Sequence, residues 1–509
     1  MTDNKRKILA INDLAHQLEE TRSGRKVVLC HGVFDLLHIG HIKYFQSAKK
    51  AGDILVVTVT PDRFVNKGPN RPAFPEQLRC EAIASLAVVD YVAVNEWPTA
   101  VETIGLLKPD IYAKGSEYQK SENDLTGKIV DEEKAVMENG GSMFFTNDIV
   151  FSSSTLINQF STDFPEETRK FFQKIVRGHG TDKIFSYIND ARSLKVLVIG
   201  EAIIDEYSYC DMIGVAAKDP TLVVQYLSQE RFAGGILAVA NNLASFCDNV
   251  DLIAMLGEFE SEETFVKDHL ARNVNAEFFY KKESPTIVKR RYVREGPQIQ
   301  KMFEVHKINQ RDLSASEQSM LQDQILSRIN EYDLVLVVDF GHGFITRETA
   351  QLISRNAKFL AVNTQANSGN RGFNVISKYP SADFICLNDL EIRLEERNNP
   401  GTIFDMVRSV AKKLSCPLTI VTQGKDGCVC YHNDDDILIV PAFAKKVVDR
   451  IGTGDALIAI ASLCAVQRAP PVISGFIGNA AASIAVSTVG HRCSIDIVSI
   501  KKYIAMLLK

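Results

Sequence analysis

The feature that most constrains this chain is the run LCHGVFDLLHIGH at residues 29–41. The apolar segment 26–29 predicts a buried strand, and a glycine-bearing turn then leads to a helix that opens at about His38. His38 and His41 are three residues apart and are expected to share one face at the N-terminal end of that helix. Free N–H groups and the helix dipole attract anions there, and Gly40 leaves room for close approach. The run therefore predicts a polyphosphate-binding site.

Further strand signals follow at residues 54–60, 88–94 and 108–115. The first of them is continuously apolar, which is typical of a parallel sheet covered on both faces. A loop at 66–72 carries two cations, and a helix is predicted from Pro75 to Leu86. The hydroxyl-rich segment 152–155 marks a helix start, where the hydroxyls either cap the helix or bind phosphate.

Together these segments resemble the nucleotidyltransferase half of the bifunctional heptose enzymes that make ADP-heptose, over about residues 24–160. The resemblance depends on the segments 31–41, 67–72, 108–115 and 153–155. It implies that a sugar 1-phosphate attacks the α-phosphorus of a nucleoside triphosphate in line and releases pyrophosphate. Positioning and charge stabilisation would dominate such catalysis.

The resemblance also implies roles for single residues. His38 and His41 would bind the triphosphate, and Lys43 or Lys67 would neutralise charge at the pentavalent phosphorus. The other residues expected to contact nucleotide or phosphate are Gly32, Phe34, Gly40, Lys114, Ser154 and Thr155. Mg²⁺ would accompany the nucleotide, which is ATP or CTP, and no residue is predicted to be a protein ligand of a metal.

A second catalytic signature lies at residues 446–456, ahead of an apolar helix at 457–466. Gly452 and Gly454 allow backbone N–H groups to converge on a phosphate at the start of that helix, and Thr453 lies between them. Asp455 lies in the same turn, where it can take a proton from a sugar hydroxyl while the amides hold the transferring phosphoryl group.

In its context this signature resembles that of the ribokinase-like (PfkB) sugar kinases. The resemblance implies that Asn388 and Glu391 handle magnesium and phosphate, that Thr422 and Gly424 lie beside the nucleotide, and that Asn479 lines the adenine site. Within that family the heptose 7-phosphate kinase half of the same bifunctional enzymes is the best match. The substrate-binding residues that this match implies are Asp205, Gly234, Gly235, Asn242 and Lys289.

Three departures from the heptose kinases fall on the expected substrate side. Ala238 stands where they have Asn, His342 where they have Lys, and 363–366 replaces their Asp-Pro-Lys-Gly segment. Because a lost hydrogen-bonding partner can shift discrimination by orders of magnitude, the acceptor can differ from the usual heptose 7-phosphate.

The fold class predicted is α/β: a Rossmann-like HxGH nucleotidyltransferase domain at 1–160, a helical linker at 161–193 and a ribokinase-like sugar kinase domain at 194–509. The length of 509 residues agrees with two domains. In the common bifunctional heptose enzymes the kinase comes first, so the domain order here is reversed. Each domain has its own core and site, so the order need not change the chemistry.

Composition narrows the classes of function that remain. The 58 basic and 63 acidic residues give a net charge of −5, which argues against a main role in nucleic-acid binding. No apolar run reaches the about 18 residues of a membrane span, and no secretory core is evident near Met1. The 10 cysteines have no zinc-like spacing and are expected to be free thiols. A cytoplasmic enzyme without nucleic-acid or membrane partners is therefore expected. The resemblance to the PfkB kinases implies a homodimer.

The favoured function is a sugar kinase and sugar-1-phosphate nucleotidyltransferase that makes a nucleotide-activated heptose for surface glycans, from a sugar phosphate and a nucleoside triphosphate. Three alternatives stay open. They are a cytidylyltransferase for an alcohol phosphate such as glycerol 3-phosphate, fused to a different-sugar kinase domain; a degenerate kinase domain that regulates the first domain; and a non-enzymatic scaffold.

Overall fold

The computed structural model describes residues 4–65, 71–115, 128–146, 164–296, 298–398, 400–432, 437–444 and 446–508. Lys67, Ser154 and Thr155 lie outside the described residues, so their predicted roles stay predictions. The chain divides into two compact units. Unit 1 comprises Met1–Pro165 and Lys501–Lys509, and unit 2 comprises Glu166–Ile500.

Unit 1 contains a five-stranded parallel sheet in the order β3-β2-β1-β4-β5. Its strands are β1 (Val27–Gly32), β2 (Ile54–Val59), β3 (Tyr91–Val94), β4 (Ile111–Gly115) and β5 (Ser142–Thr146). Its helices are α1 (Ile11–Thr21), α2 (Ile39–Lys49), α3 (Glu76–Ala84), α4 (Val101–Leu107) and α5 (Ile129–Glu138), with short 3₁₀ turns at Asn4–Lys7 and Asp62–Phe64.

The central strands of unit 1 are buried on both faces, as their continuous apolar sequence predicted. Successive residues along β1 point to opposite faces. Val27 and Leu29 accordingly belong to one apolar cluster, whereas Val28 and Cys30 belong to another. The carboxyl ends of β1 and β4 lie side by side in this sheet, which is the edge where parallel α/β sheets bind their ligands.

Unit 2 is built on a 12-stranded sheet with the main path β11-β10-β6-β12-β13-β14-β15-β16-β17. Strands β7 and β8 also pair with β6, and β9 pairs with β8. The strands are β6 (Val196–Val215), β7 (Leu222–Gly235), β8 (Val250–Phe259), β9 (Val274–Pro285), β10 (Ile287–Arg294), β11 (Gln300–Lys307), β12 (Leu334–Asp339), β13 (Leu360–Thr364), β14 (Phe384–Asn388), β15 (Leu418–Thr422), β16 (Cys428–His432) and β17 (Ile437–Val440).

Strand β6 is long because it serves two layers. Its first residues, Val196–Gly200, pair in parallel with β12 and β8 in the buried centre of the sheet. From Ala202 onward it pairs instead with β7 and β10, which together with β11 form a smaller lid-like sheet. Asp205 lies just beyond this change of neighbours, directly opposite Lys289 of β10.

Helices cover the main sheet of unit 2. They are α6 (Glu166–His179), α7 (Thr181–Asp190), α8 (Ile236–Ala244), α9 (Glu263–His269), α10 (Ala315–Leu326), α11 (Arg347–Asn356), α12 (Asp389–Glu396), α13 (Ile403–Lys413), α14 (Thr453–Val466) and α15 (Pro471–Ala485). A last helix, α16, spans Ile497–Leu508, and short 3₁₀ turns lie at Ala191–Ser193, Ile329–Glu331, Ile376–Lys378 and Gly424–Asp426.

The segment predicted as a helical linker contains α6 and α7, which pack on the core of unit 2. The Phe172 ring lies 5.2 Å from the ring of Phe443, and Gln467 donates a hydrogen bond of 2.8 Å to the carbonyl of Tyr187. The predicted division at 1–160, 161–193 and 194–509 remains a proposal. Nine of the cysteines are buried and all ten are free thiols.

Candidate active sites

The histidine pair of unit 1 lies at the start of α2, but not quite as the sequence predicted. His38 is extended (φ −140°) and caps the helix, with its Nδ1 accepting a hydrogen bond from the Gly40 N–H at 3.1 Å. The side chain of the cap folds over the first turn, so the His38 and His41 rings still stack, with centroids 3.9 Å apart. The two imidazoles converge, although only His41 lies within the helix.

The His38 ring is held by Nδ1 and leaves Nε2 as its other polar atom. Among the described residues, the buried Nε2 of His38 has no hydrogen-bond partner. Burial lowers the pKa of His38 from its ordinary value, so the neutral ring is favoured near pH 7. A neutral imidazole that already accepts through Nδ1 carries its proton on Nε2, which can donate to a phosphate oxygen.

The turn before α2 is shaped by Phe34 and Gly32. Phe34 adopts a positive φ of 47°, and its ring packs edge-on to His41 at 5.4 Å. A Cβ on Gly32 would lie 3.0 Å from that ring, so glycine leaves the space that Phe34 needs. The structure thus gives Gly32 and Phe34 a packing role beside the histidine pair, while their predicted contact with nucleotide is untested.

Two buried groups that were not predicted as site residues hold this turn in place. Arg79 donates hydrogen bonds to the carbonyls of Val33, Phe74 and Thr60 and pairs with Asp62. Asp35 accepts from Arg71 at 2.9 Å and from the Ala73 N–H at 2.5 Å. Asp35 lies within the run at 29–41 but was assigned no role, and Arg79 belongs to none of the motifs. The burial that makes each one structural arises only in the folded chain.

The other predicted residues of unit 1 are more dispersed. Lys114, at the end of β4, forms an ion pair of 2.8 Å with Glu132, and its charge helps to lower the pKa of His31. The first cause of that shift is burial, which lowers the pKa of His31 to about 3 and marks it as a neutral structural residue. Lys43 is exposed on α2.

The kinase signature of unit 2 forms the start of α14, as predicted. Gly452 is the helix cap with φ +79°, and Asp455 lies in the first turn. Gly454 has open space where a Cβ would lie, so packing within the protein does not require glycine there. That open space, next to unpaired N–H groups of the first turn, can receive a phosphate.

Asp455 faces a cavity of about 300 Å³ that most of the predicted kinase residues line. The predicted residues in its wall are Asp205, Gly235, Lys289, Asn388, Glu391, Thr422, Gly452, Thr453, Gly454 and Asp455. Gly234 lies just behind it, since a Cβ there would lie against the Asp205 carboxylate. These residues meet because the sheet aligns the carboxyl ends of β14 and β15, with Asn388 opposite Thr422.

Three predicted residues lie elsewhere. The Asn479 amide donates to the Pro441 carbonyl at 2.5 Å, and Asn242 accepts from the Ile495 N–H at 2.9 Å. Gly424 forms the turn after β15 with φ +58°. None of the three belongs to the lining of the Asp455 cavity, so their predicted contacts with adenine, substrate and nucleotide are untested.

The carboxylates of the cavity have perturbed pKa values. Burial raises the pKa of Asp455 to about 6, and the charge of Asp205 adds to the rise while His491 and Lys289 oppose it. Burial also raises the pKa of Glu391 to about 7. Both oxygens of Glu391 accept backbone hydrogen bonds, from Asn388 at 2.7 Å and from Ala366 at 3.2 Å.

Cations face Asp205 from β10. Arg291 forms a buried ion pair with Asp205 and a second one, at 3.0 Å, with Glu304. Lys289 is buried along its stem, and burial lowers its pKa from the ordinary value. Lys289 therefore places an amine in the wall of the cavity, where it can contact an anionic group of a sugar substrate.

The three departures from the heptose kinases lie in different places in the structure. Gln365 reaches the catalytic turn, with its Nε2 3.2 Å from Asp455 Oδ1. His342 is buried away from the cavity lining, and burial lowers its pKa to about 3. Ala238 lines a second cavity, of about 320 Å³, which shares Ile451, Gly452 and His491 with the first.

The fold and the two candidate sites indicate the class of the protein, an α/β protein with two sites suited to phosphate groups. Comparison with known proteins identifies the family. The family model of pfkB family carbohydrate kinases matches residues 193–497, and the chain belongs to this family. A cytidylyltransferase-like model matches residues 29–160. Both predicted fold resemblances are thereby confirmed.

Two relatives bear the name Bifunctional protein HldE. The one from Syntrophotalea carbinolica is 46% identical over 101 residues, which are 19% of this chain and 21% of that protein. The one from Campylobacter jejuni serotype O:2 is 25% identical over 303 residues, 58% of this chain and 62% of that protein. The chain thus spans less than two thirds of the length of either relative.

Among solved structures, Escherichia coli phosphofructokinase-2 in complex with potassium aligns with a TM-score of 0.49 and 15% identity, over 62% of this chain and 100% of that chain. Among the described residues, no helix is long and apolar enough to cross a bilayer. No group of three or more His, Cys, Asp or Glu side chains in the described part of the chain forms a metal cluster.

Proposed function

We propose that the chain is a bifunctional enzyme of nucleotide-sugar synthesis. Unit 2 would phosphorylate a sugar phosphate, a heptose 7-phosphate, at its anomeric oxygen with ATP. Unit 1 would transfer a nucleotidyl group to a sugar 1-phosphate and form an ADP-heptose-like product. The observation that carries the proposal is the presence of two differently built phosphate sites, the His38–His41 pair and the Asp455 turn, in one chain. The family models and the HldE relatives support it.

In the kinase reaction, Asp455 is the general base. A buried carboxylate with a pKa of about 6 is ionised at pH 7 and can take the proton of an acceptor hydroxyl. The acceptor oxygen then forms a bond to the γ-phosphorus of ATP, the bond from that phosphorus to the β–γ bridging oxygen breaks, and ADP leaves. Backbone N–H groups at the start of α14 hold the transferring phosphoryl group, and Lys289 offsets its charge.

Mg²⁺ would take most of its ligands from the triphosphate and water and would neutralise charge on the phosphates. Asn388 and Glu391 would contact waters bound to Mg²⁺. Direct binding of the metal by Glu391 is disfavoured, because both of its oxygens already accept backbone hydrogen bonds.

In the nucleotidyl transfer, the His38–His41 pair would hold the phosphates of the triphosphate at the start of α2. The nucleophilic phosphate oxygen of the sugar 1-phosphate forms the new bond to the α-phosphorus while pyrophosphate leaves. Hydrogen bonds from the imidazoles would strengthen as charge moves onto the leaving pyrophosphate, which is how a preorganised donor lowers a barrier.

The test is a two-part assay on the full chain. D-glycero-D-manno-heptose 7-phosphate is given with ATP and Mg²⁺, and products are read by phosphorus NMR. Unit 1 is assayed for pyrophosphate release with ATP or CTP and a panel of sugar 1-phosphates and glycerol 3-phosphate. A new anomeric phosphate and ATP-dependent use of a sugar 1-phosphate are expected. Turnover only with CTP and glycerol 3-phosphate would overturn the assignment of unit 1 and favour the alcohol-phosphate alternative.

We also propose that the enzyme is a homodimer through the lid-like sheet. Strands β6, β7 and β11 expose large apolar side chains: Met212, Ile213, Val215, Leu222, Val223, Tyr226, Leu227, Phe303 and Val305. An apolar face of this kind is costly to leave in water. Analytical ultracentrifugation should give about twice the chain mass of 56.5 kDa, whereas a monomer at micromolar concentration would contradict the proposal. A cytoplasmic location stays a prediction.

A further inference from the structure

His491 lies at the centre of the kinase site although no motif points to it. It follows Gly490 in the turn beyond α15 and is largely buried. A Cβ on Gly452 would lie 2.3 Å from the His491 ring, and a Cβ on Gly234 would lie 3.3 Å from it. The imidazole therefore occupies the space that two glycines of the predicted signatures leave open.

The position of His491 joins the two carboxylates of the site. Its Nε2 lies 3.5 Å from Oδ2 of Asp205. Asp455 lines the same cavity, and a proton on the His491 ring would oppose the burial that raises the pKa of Asp455. The ring also belongs to the lining of both the Asp455 cavity and the neighbouring cavity of about 320 Å³.

The charged groups that line this cavity include Arg450, Glu391 of α12 and the following residues of three other elements. Asp205 lies on β6, Lys289 and Arg291 on β10, and Asp455 on α14. Arg291 is engaged with Asp205 and Glu304, whereas Lys289 and His491 both line the Asp455 cavity. Gln365, which touches Asp455, is neutral. His491 is thus an imidazole neighbour of Asp455 in the wall of this cavity.

We propose that His491 is a positioning residue of the kinase site, which orients Asp205 toward the acceptor sugar and supplies positive charge beside the base Asp455. The inference rests on the proposed kinase function of unit 2. A protonated ring at this position favours the ionised form of Asp455, so that the carboxylate can accept the hydroxyl proton. The ring lies near Oδ2 of Asp205, whereas Arg291 pairs with Oδ1.

The test replaces His491 with glutamine, which keeps a polar side chain of moderate size but cannot carry a charge. The full chain is labelled with carbon-13 at the aspartate carboxyl carbons, and the Asp455 resonance is assigned by its loss in Asp455→Asn. In the wild type this resonance should titrate with a midpoint of about 6. In His491→Gln the midpoint should move to higher pH by roughly half a pH unit, because a cationic neighbour is lost.

The matched control is His269→Gln. His269 is exposed and stacks on Phe265, and it lines the neighbouring cavity without lining that of Asp455. The control should leave the Asp455 midpoint unchanged. If both variants leave it unchanged, or if both move it equally, His491 does not act as proposed. Circular dichroism checks folding, and His491→Asn serves as a second variant if the glutamine variant does not fold.

Kinetics separates this inference from the proposed function. With an active wild type, His491→Gln should raise the acceptor KM several-fold and move the acid limb of the pH–rate profile to higher pH. An equal loss of kcat at every pH, with KM unchanged, would indicate a merely structural role and overturn the inference. If the wild type phosphorylates no acceptor, the proposed function fails, while the NMR titration still decides whether His491 controls the charge of Asp455.

Discussion

Unit 1 and unit 2 both place a reactive group at the first turn of a helix that follows a glycine-containing loop, yet they equip that turn differently. At the start of α2, two imidazoles stack at 3.9 Å and can donate hydrogen bonds to an anion. At the start of α14, a buried carboxylate with a raised pKa faces a cavity. In the proposed reactions the same backbone arrangement binds phosphate in both units, and the side chain decides the reaction.

The difference follows from what each proposed reaction needs. A sugar 1-phosphate is already an anionic nucleophile, so unit 1 needs donors for the leaving pyrophosphate and no base. A sugar hydroxyl must lose a proton, so unit 2 needs a carboxylate that is ionised near pH 7. Four experiments test this difference between the two units.

The largest effect is expected for Asp455→Asn. The amide has nearly the shape of the carboxylate but cannot take a proton, so ADP formation with a sugar acceptor should fall by about 10²–10⁴-fold. Pyrophosphate release by unit 1 should stay at the wild-type rate, which provides the internal control. A kinase rate equal to that of the wild type would refute Asp455 as the base and would revive the view of unit 2 as a regulatory domain.

A loss of roughly 10²-fold in pyrophosphate release is expected for His38→Ala, because a preorganised donor to the triphosphate is removed. The matched control is His16→Ala, since the side chain of His16 is 82% exposed on α1. Kinase activity should be unaffected in both variants. Wild-type pyrophosphate release in His38→Ala would remove the chemical basis of the contrast between the units.

A pair of glycine variants separates packing from ligand space. Gly454→Ala meets no protein atom, so the melting temperature should hardly change while the KM for ATP rises about tenfold, because the methyl group enters the phosphate space. Gly452→Ala meets the His491 ring at 2.3 Å and has φ +79°, so it should destabilise unit 2 by about 1–3 kcal/mol. Calorimetry and ATP kinetics on both variants check this; the reverse order of effects would contradict it.

The smallest effect concerns pH. The base form of Asp455 is lost as pH falls through its pKa of about 6, so the kinase rate should be about half-maximal near pH 6 and should rise to a plateau above pH 7. The pKa of His38 is lowered, so the neutral ring persists over that range and pyrophosphate release should change little. Parallel pH–rate profiles for the two activities would show that one shared event limits both.

Much of the architecture was predictable because its signals are local. The apolar run at 54–60 predicted a strand that the structure has as β2, and the run at 26–29 predicted the start of β1. The glycine signature at 452–454 predicted the start of an apolar helix at 457–466. The structure begins α14 earlier, at Thr453, so that Asp455 lies within its first turn. The predicted helix face shared by His38 and His41 was wrong in detail, since His38 is the cap and extended.

Other residues of the candidate sites carry no local signal. His491 meets Asp205 across 286 residues of sequence, and Arg79 becomes a structural cation only because the folded chain surrounds it with carbonyls. Asn479 and Asn242 matched a family pattern, yet the structure turns their amides to backbone groups outside the Asp455 cavity. Motifs report residue type and spacing, whereas these outcomes depend on which elements become neighbours.

The sequence by itself determined the class of the protein: two α/β units, each with a glycine-containing helix start, one bearing imidazoles and the other an aspartate. Such features depend on apolar periodicity and on backbone conformations that glycine alone adopts easily, and both are written in consecutive residues. The charge state of Asp455 and the groups that surround it depend on the tertiary structure. Burial and the approach of His491, Lys289 and Asp205 set its pKa, and these groups arrive from separate elements of the folded chain.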